Sequence, residues 1–110
     1  MKNVQGMSLD QKLMELQQCV NKAKVGAEYP GSVDYEFLLK AKLGDQRDEK
    51  LAYYSTLLTK ASDFRNGRFD SLDYDVRNQM ITELNAKIDE ALLSFDGYEK
   101  IEEVQQGLGR

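Results

Sequence analysis

Cys19 is the only thiol in a chain of 110 residues that contains no histidine. A cysteine attacks as its thiolate, and histidine is the usual base that produces one. Lys22 lies nearly one helical turn on and is a weak substitute, so Cys19 reads as a small buried side chain at the edge of an apolar face. Without histidine the Ser-His-Asp and Cys-His nucleophile pairs are excluded, and so are His-ligated zinc and iron. One cysteine makes neither an intrachain disulfide nor a thiolate metal cage. Carboxylates are plentiful, with Asp45, Asp48 and Glu49 in one group and Asp70, Asp73 and Asp75 in another. A calcium loop of the EF-hand type needs alternate oxygen ligands, a central glycine and a closing glutamate. Neither group has that order, so both read as solvated helix N-termini. Glycine-rich phosphate cradles of the GxxxxGK[ST] or GxGxxG type do not occur. These residue types predict no catalytic site, no cofactor and no metal, and hence a chain that is not an enzyme.

Asp70-Ser71-Leu72 resembles the attachment motif of acyl and peptidyl carrier proteins, in which a serine at a helix N-terminus carries phosphopantetheine. The resemblance implies Ser71 as the attachment site. It covers a few residues only, and Arg68 stands where that family usually has glycine. A plain helix cap beginning at Asp70 accounts for the same tripeptide. The longer turn Gly67-Arg68-Phe69-Asp70-Ser71-Leu72, between two amphipathic segments, resembles the turn of small helical flagellar export chaperones. That match implies a bundle that binds a partner.

Four segments share one helical grammar. The first opens at Ser8 with Gln11 three residues on, a capping-box spacing, and carries Leu9, Leu13, Leu16, Val20 and Ala23 to a stop near Gly26. The second runs from Ser32 to Leu43 with Val33, Phe37 and Ala41 on one face. Val33 to Phe37 also alternates like a strand, but the good helix formers after it favour a helix. The third starts between Asp45 and Asp48 and ends near Phe64, before Asn66-Gly67, with Leu51, Tyr54, Leu58 and Ala61 as its stripe. The fourth opens with Asp70 as cap and Phe69 as a staple onto Tyr74. Its Ile81, Leu84, Ile88, Ala91 and Phe95 repeat at heptad-like spacing. Tyr98, Ile101 and Val104 can form a short fifth helix. Acids begin and bases end the first three helices, as the helix dipole favours. The fourth instead ends in Asp89, Glu90 and Asp96, which no local rule explains.

The sequence therefore predicts an all-α fold: a small antiparallel bundle of four helices with room for the short fifth. Residues 8–106 form one domain between flexible tails at 1–7 and 107–110. Net charge is -4, with acids and bases interleaved, which opposes nucleic-acid binding. Apolar runs are too short to span a membrane or to make a signal peptide, and the lone thiol suits a reducing compartment; a cytoplasmic protein is expected. Function is then expected at the surface. The leading expectation is a module that binds another protein, as an inhibitor, adaptor, export chaperone or phage or plasmid accessory factor does. Exposed aromatics are common at interfaces, which singles out Tyr53 and Phe69. Asp89, Glu90, Asp96, Glu99, Glu102 and Glu103, with Lys100 among them, are the most one-sided charge in the chain and would steer a basic partner, with Asp96, Glu99, Glu102 and Glu103 as the contact candidates. The alternative is a homo-oligomeric assembly subunit that pairs through Ile81, Leu84, Ile88 and Phe95.

Overall fold

Ser8 and Ser32 begin the first two helices, each by accepting a backbone N–H three residues on. In the computed structural model, which describes residues 1–101, Ser8 Oγ accepts from Gln11 N at 3.1 Å and Ser32 Oγ from Tyr35 N at 3.3 Å. They open α1 (Leu9–Glu28) and α2 (Val33–Lys40); α3 spans Arg47–Arg65 and α4 spans Tyr74–Leu93. A two-residue parallel ribbon joins β1 (Lys2–Asn3) to β2 (Tyr98–Glu99). The chain is thus an all-α small bundle with four α-helices among the described residues, and the stretch at Val33 to Phe37 is helix rather than strand. No helix among those residues is long and apolar enough to cross a membrane.

Packing moved several helix ends away from their expected positions. Gly26 lies inside α1, because a Cβ there would collide with the backbone of Asp34 and Tyr35; its role is to let α2 approach closely. α2 stops at Lys40 rather than Leu43. The extended backbone at Ala41 then carries Leu43 into the core, and Lys42 N–H donates to Ser94 O at 2.6 Å, filling a carbonyl at the end of α4. Val33, expected to face inward, is 83% exposed; Leu38 takes the buried place. α4 begins after Asp73, not Asp70. Asp70 instead sits near Gly67 and 3.8 Å from Arg77, while Phe69 packs on Phe64 with ring centres 4.6 Å apart. Ser71 is exposed in the turn before the cap, outside the first turn of α4, so it lacks the helix-terminal setting that the carrier resemblance implied.

α1 packs against α2, α3 and α4 and supplies the centre of the core with Leu16, Cys19, Val20 and Ala23. Phe95, just beyond α4, stacks on Phe37 at 5.7 Å and meets Tyr54 edge-on at 6.0 Å. Tyr54 Oη, at the margin of that contact, donates to Ser94 Oγ at 3.0 Å. The proposed dimer seam is corrected by this packing. Leu84, Ile88 and Phe95 are buried in the chain's own core, which leaves Ile81, at 38% exposure, as the seam's one accessible residue. A bundle this small needs every such side chain inside.

The N-terminal residues, expected as a loose tail, are part of the packing. Val4 is fully buried, and Asn3 Oδ1 accepts from Gln5 N at 3.1 Å and Ile101 N at 2.9 Å. The expected fifth helix is replaced over its first residues by strand at Tyr98–Glu99, with Ile101 outside any element. Val104 and the tail at 107–110 lie outside the described residues.

Candidate docking surface on the third helix

Apolar residues of α3 recur every three or four positions, which turns Leu51, Tyr54, Leu57 and Ala61 inward and leaves the rest of the helix at the surface. Tyr53, next to an inward tyrosine, is carried about 100° round the helix and is 46% exposed. It lines a cleft of about 210 Å³ between α3 and α4 with Leu57, Lys60, Met80, Glu83 and Lys87. Phe69 lines a shallower depression of about 420 Å³ with Thr56, Thr59, Lys60 and Asp63. The two depressions share Thr56 and Lys60, so the structure brings Tyr53 and Phe69 to neighbouring sides of one surface. It does not bring the acidic residues there. Asp96 is exposed beyond α4, Glu99 belongs to β2, and the charges beside Tyr53 include Lys60 and Lys87. Glu102 and Glu103 lie outside the described residues.

α3 also borders two further clefts. One, of about 250 Å³, lies against α1 and is lined by Leu13, Met14, Gln17, Leu58 and Ser62. The other, of about 270 Å³, reaches α4 and is lined by Leu9, Phe64, Arg77, Ile81 and Leu84. Asp10, Leu13, Ala61 and Arg65 border both. Arg65 donates to Asp10 Oδ1 at this shared boundary.

The interior holds charges, of which the sequence reading singled out Asp89 but neither Lys12 nor Glu15. Lys12, Glu15 and Asp89 are all buried. Lys12 Nζ lies 2.6 Å from Asp89 Oδ1 and donates to Asn85 Oδ1 at 3.0 Å, which joins α1 to α4. Asp89, anomalous as an acid near a helix C-terminus, is there to meet that ammonium. Glu15 accepts from Tyr98 Oη at 2.6 Å, Lys2 Nζ at 2.9 Å and Gln11 Nε2 at 3.1 Å. The Tyr98 hydroxyl holds the Glu15 carboxyl below its ordinary range, and Lys2 and Gln11 add to this against the opposing effect of burial. Burial, followed by the bond to Glu15, pushes the Tyr98 phenol well above its usual value. Burial likewise raises Cys19, whose Sγ lies 3.8 Å from Tyr98 Oη, so its thiolate is suppressed. A periodic signal was present in the sequence, since Lys12 falls four residues before Leu16, Glu15 four before Cys19, and the two are three apart.

No cluster of His, Cys, Asp and Glu that could hold a metal occurs among the described residues. No family model, curated protein or solved structure matches this chain.

Proposed function

We propose that this chain is a protein-interaction module and that α3 is its contact element. The observation that carries this reading is that residues of α3 line all four of the clefts described above. A helix bordered by open concavities on several sides offers a partner both an exposed aromatic, Tyr53, and places to insert side chains. The ionisable groups of the interior point the same way. Lys12, Glu15, Asp89 and Tyr98 are engaged with one another or with nearby polar groups, so the polar chemistry inside the bundle holds helices together. The module acts by occupying a surface on another protein, in the manner of an inhibitor, adaptor or export chaperone. The acidic residues Asp96 and Glu99 then serve to steer encounter rather than to form the contact.

The test is quantitative affinity capture from the native cell with the full chain and with Tyr53→Ala. A protein retained by the parent chain and depleted at least several-fold by Tyr53→Ala, at an unchanged melting temperature, supports the reading. An identical set of captured proteins for both chains contradicts it.

A further inference from the structure

We propose that residues 1–7 and 97–101 form a strap over α1 that opens and closes as one unit while the helices stay packed, with Glu15 as its latch. The proposal is independent of the docking reading above. Three features lead to it.

The first is that one buried carboxylate holds both segments. From β1, Lys2 Nζ donates to Glu15 Oε1 and Oε2, each at 2.9 Å. From β2, Tyr98 Oη donates to Oε1 at 2.6 Å. Gln11 Nε2, one turn earlier on α1, donates to Oε2 at 3.1 Å. Both segments thus reach α1 through a single side chain, and α1 is the helix that touches every other helix. Hydrogen bonds to an ionised acceptor are roughly twice as strong as neutral ones, so the charge of Glu15 sets how firmly the strap is held.

The second is that the two segments depend on each other. Their ribbon is two residues long on each side. Lys2 N–H donates to Gly97 O at 2.9 Å, and Gly97, at a φ of 102°, turns the chain out of α4 into this pairing. The Asn3 side chain accepts from Ile101 N at 2.9 Å and donates to Ile101 O at 3.3 Å. So short a pair does not persist in water without a surface beneath it. Lifting the ribbon from Glu15 therefore also parts the two segments, and parting them removes one of the holds on Glu15. The strap is closed with all of these contacts or open with none.

The third is that the strap can leave without taking the core with it. Among the described residues, Val4 is the one fully enclosed core side chain that it supplies, and the other buried apolar residues belong to the helices and their connections. Beneath the strap, Cys19 is 5% exposed, with Sγ 3.8 Å from Tyr98 Oη. Opening releases Val4 and uncovers Cys19, a far smaller exposure than unfolding the bundle, and local openings of that kind cost less than global unfolding.

The groups that face Glu15 are Lys2 on β1, Tyr98 on β2, and Gln11 and Cys19 on α1. Burial first of all raises both Tyr98 and Cys19, so neither gives up a proton in acid. The Tyr98 hydroxyl, then Lys2 and Gln11, hold the Glu15 carboxyl below its ordinary value against the effect of burial. The closed strap therefore favours ionised Glu15. That preference is fully present above the ordinary carboxylate pKa of about 4.3 and is lost as pH falls through the lower value of the closed state.

Cys19 is the only thiol, which makes it a clean reporter. The full chain is treated with dithiodipyridine, a disulfide that labels thiols in acid as well as at neutral pH. Each rate is divided by that of the unfolded chain at the same pH, which cancels the thiol's own titration. Near neutral pH the ratio should be small and almost independent of urea until global unfolding sets in, because a strap exposes little surface. Lys2→Met and Glu15→Gln should each speed labelling about tenfold, the worth of one charge-assisted hydrogen bond. Asn3→Ala, whose lost bonds run to Gln5 and Ile101 rather than to Glu15, should speed it about fivefold. As pH falls through the Glu15 titration, the parent ratio should rise to that of Glu15→Gln, which should itself stay level. Lys2→Met, at a side chain 59% exposed, decides the matter if Glu15→Gln impairs folding. Labelling that follows the full urea dependence of global unfolding at every concentration would overturn the proposal, since Cys19 would then be reached only from the unfolded chain. Asn3→Ala without effect would overturn it too, because the segments would not move together. A Glu15→Gln chain that keeps the parent's pH dependence would place the latch elsewhere and equally overturn it.

Discussion

α1 and α3 are nearly equal in length, and the bundle uses them in opposite ways. α1 touches all three other helices and takes an ammonium and a carboxylate inside with it. α3 buries an ordinary apolar stripe and leaves its remaining surface beside open clefts. The difference lies in what each helix can tolerate. A helix surrounded by partners can bury Lys12 and Glu15 because neighbours supply their hydrogen bonds, and those bonds hold each neighbour in one register. A helix covered on one side can change its outer residues without disturbing the core. The first arrangement suits a keel and the second a contact surface.

The sharpest way to break this comparison is to remove one charge from the keel. Asp89→Ala leaves the Lys12 ammonium buried without its ion pair and should cost about 3–5 kcal/mol in urea unfolding. Replacing both, as Lys12→Met with Asp89→Leu, should recover most of that loss, because the pair fixes register more than it adds net stability. A double variant as unstable as Asp89→Ala would show that the ion pair itself supplies the stability. Phe95→Ala, which removes the ring shared by Phe37 and Tyr54, should cost a comparable 3–5 kcal/mol, or about that, by the same measurement.

Smaller effects separate the two helices by pH. Glu15 is held below its ordinary value, chiefly by the Tyr98 hydroxyl. Its stabilising contribution is therefore present above the unfolded carboxylate pKa of about 4.3 and is lost as pH falls through the lower folded value. Tyr98→Phe should cost about 1 kcal/mol near neutral pH, and the gap to the parent chain should close in acid. A gap that stays constant as pH falls through the folded titration of Glu15 would mean that the hydroxyl acts by packing alone. The smallest effect belongs to α3. Tyr53→Ala should change stability by less than about 0.5 kcal/mol, as for surface positions generally, while acting on partner capture.

How far the sequence could be read depended on the range of the interactions. Ser8 and Ser32 were legible as caps because a cap joins a side chain to a backbone group three residues away. By that rule Asp70 was read as the cap of α4, but the helix begins after Asp73, which makes no side-chain cap bond. The choice was made by contacts outside it, since Phe69 packs back on Phe64 and Asp70 turns toward Arg77. The apolar seam of α4 was read correctly as a periodic face, but periodicity does not say which chain will cover it. In the structure its own bundle does, which removes Leu84, Ile88 and Phe95 from any interface. Lys12 and Glu15 lie on the inward face by simple spacing, yet the reason to bury Lys12 is Asp89, which is near it only once the chain has folded. The clefts around α3 were beyond the sequence altogether, because their shape depends on how closely α1 and α4 approach that helix.

The central claim is that α3 is where this protein meets another, and a photo-crosslinking amino acid tests it directly in the native cell. Placed at Tyr53, it should give one discrete adduct with a second protein, whereas placed at Leu39 of α2, which is more exposed, it should give none. A discrete adduct from Leu39 with nothing from Tyr53 would contradict the account.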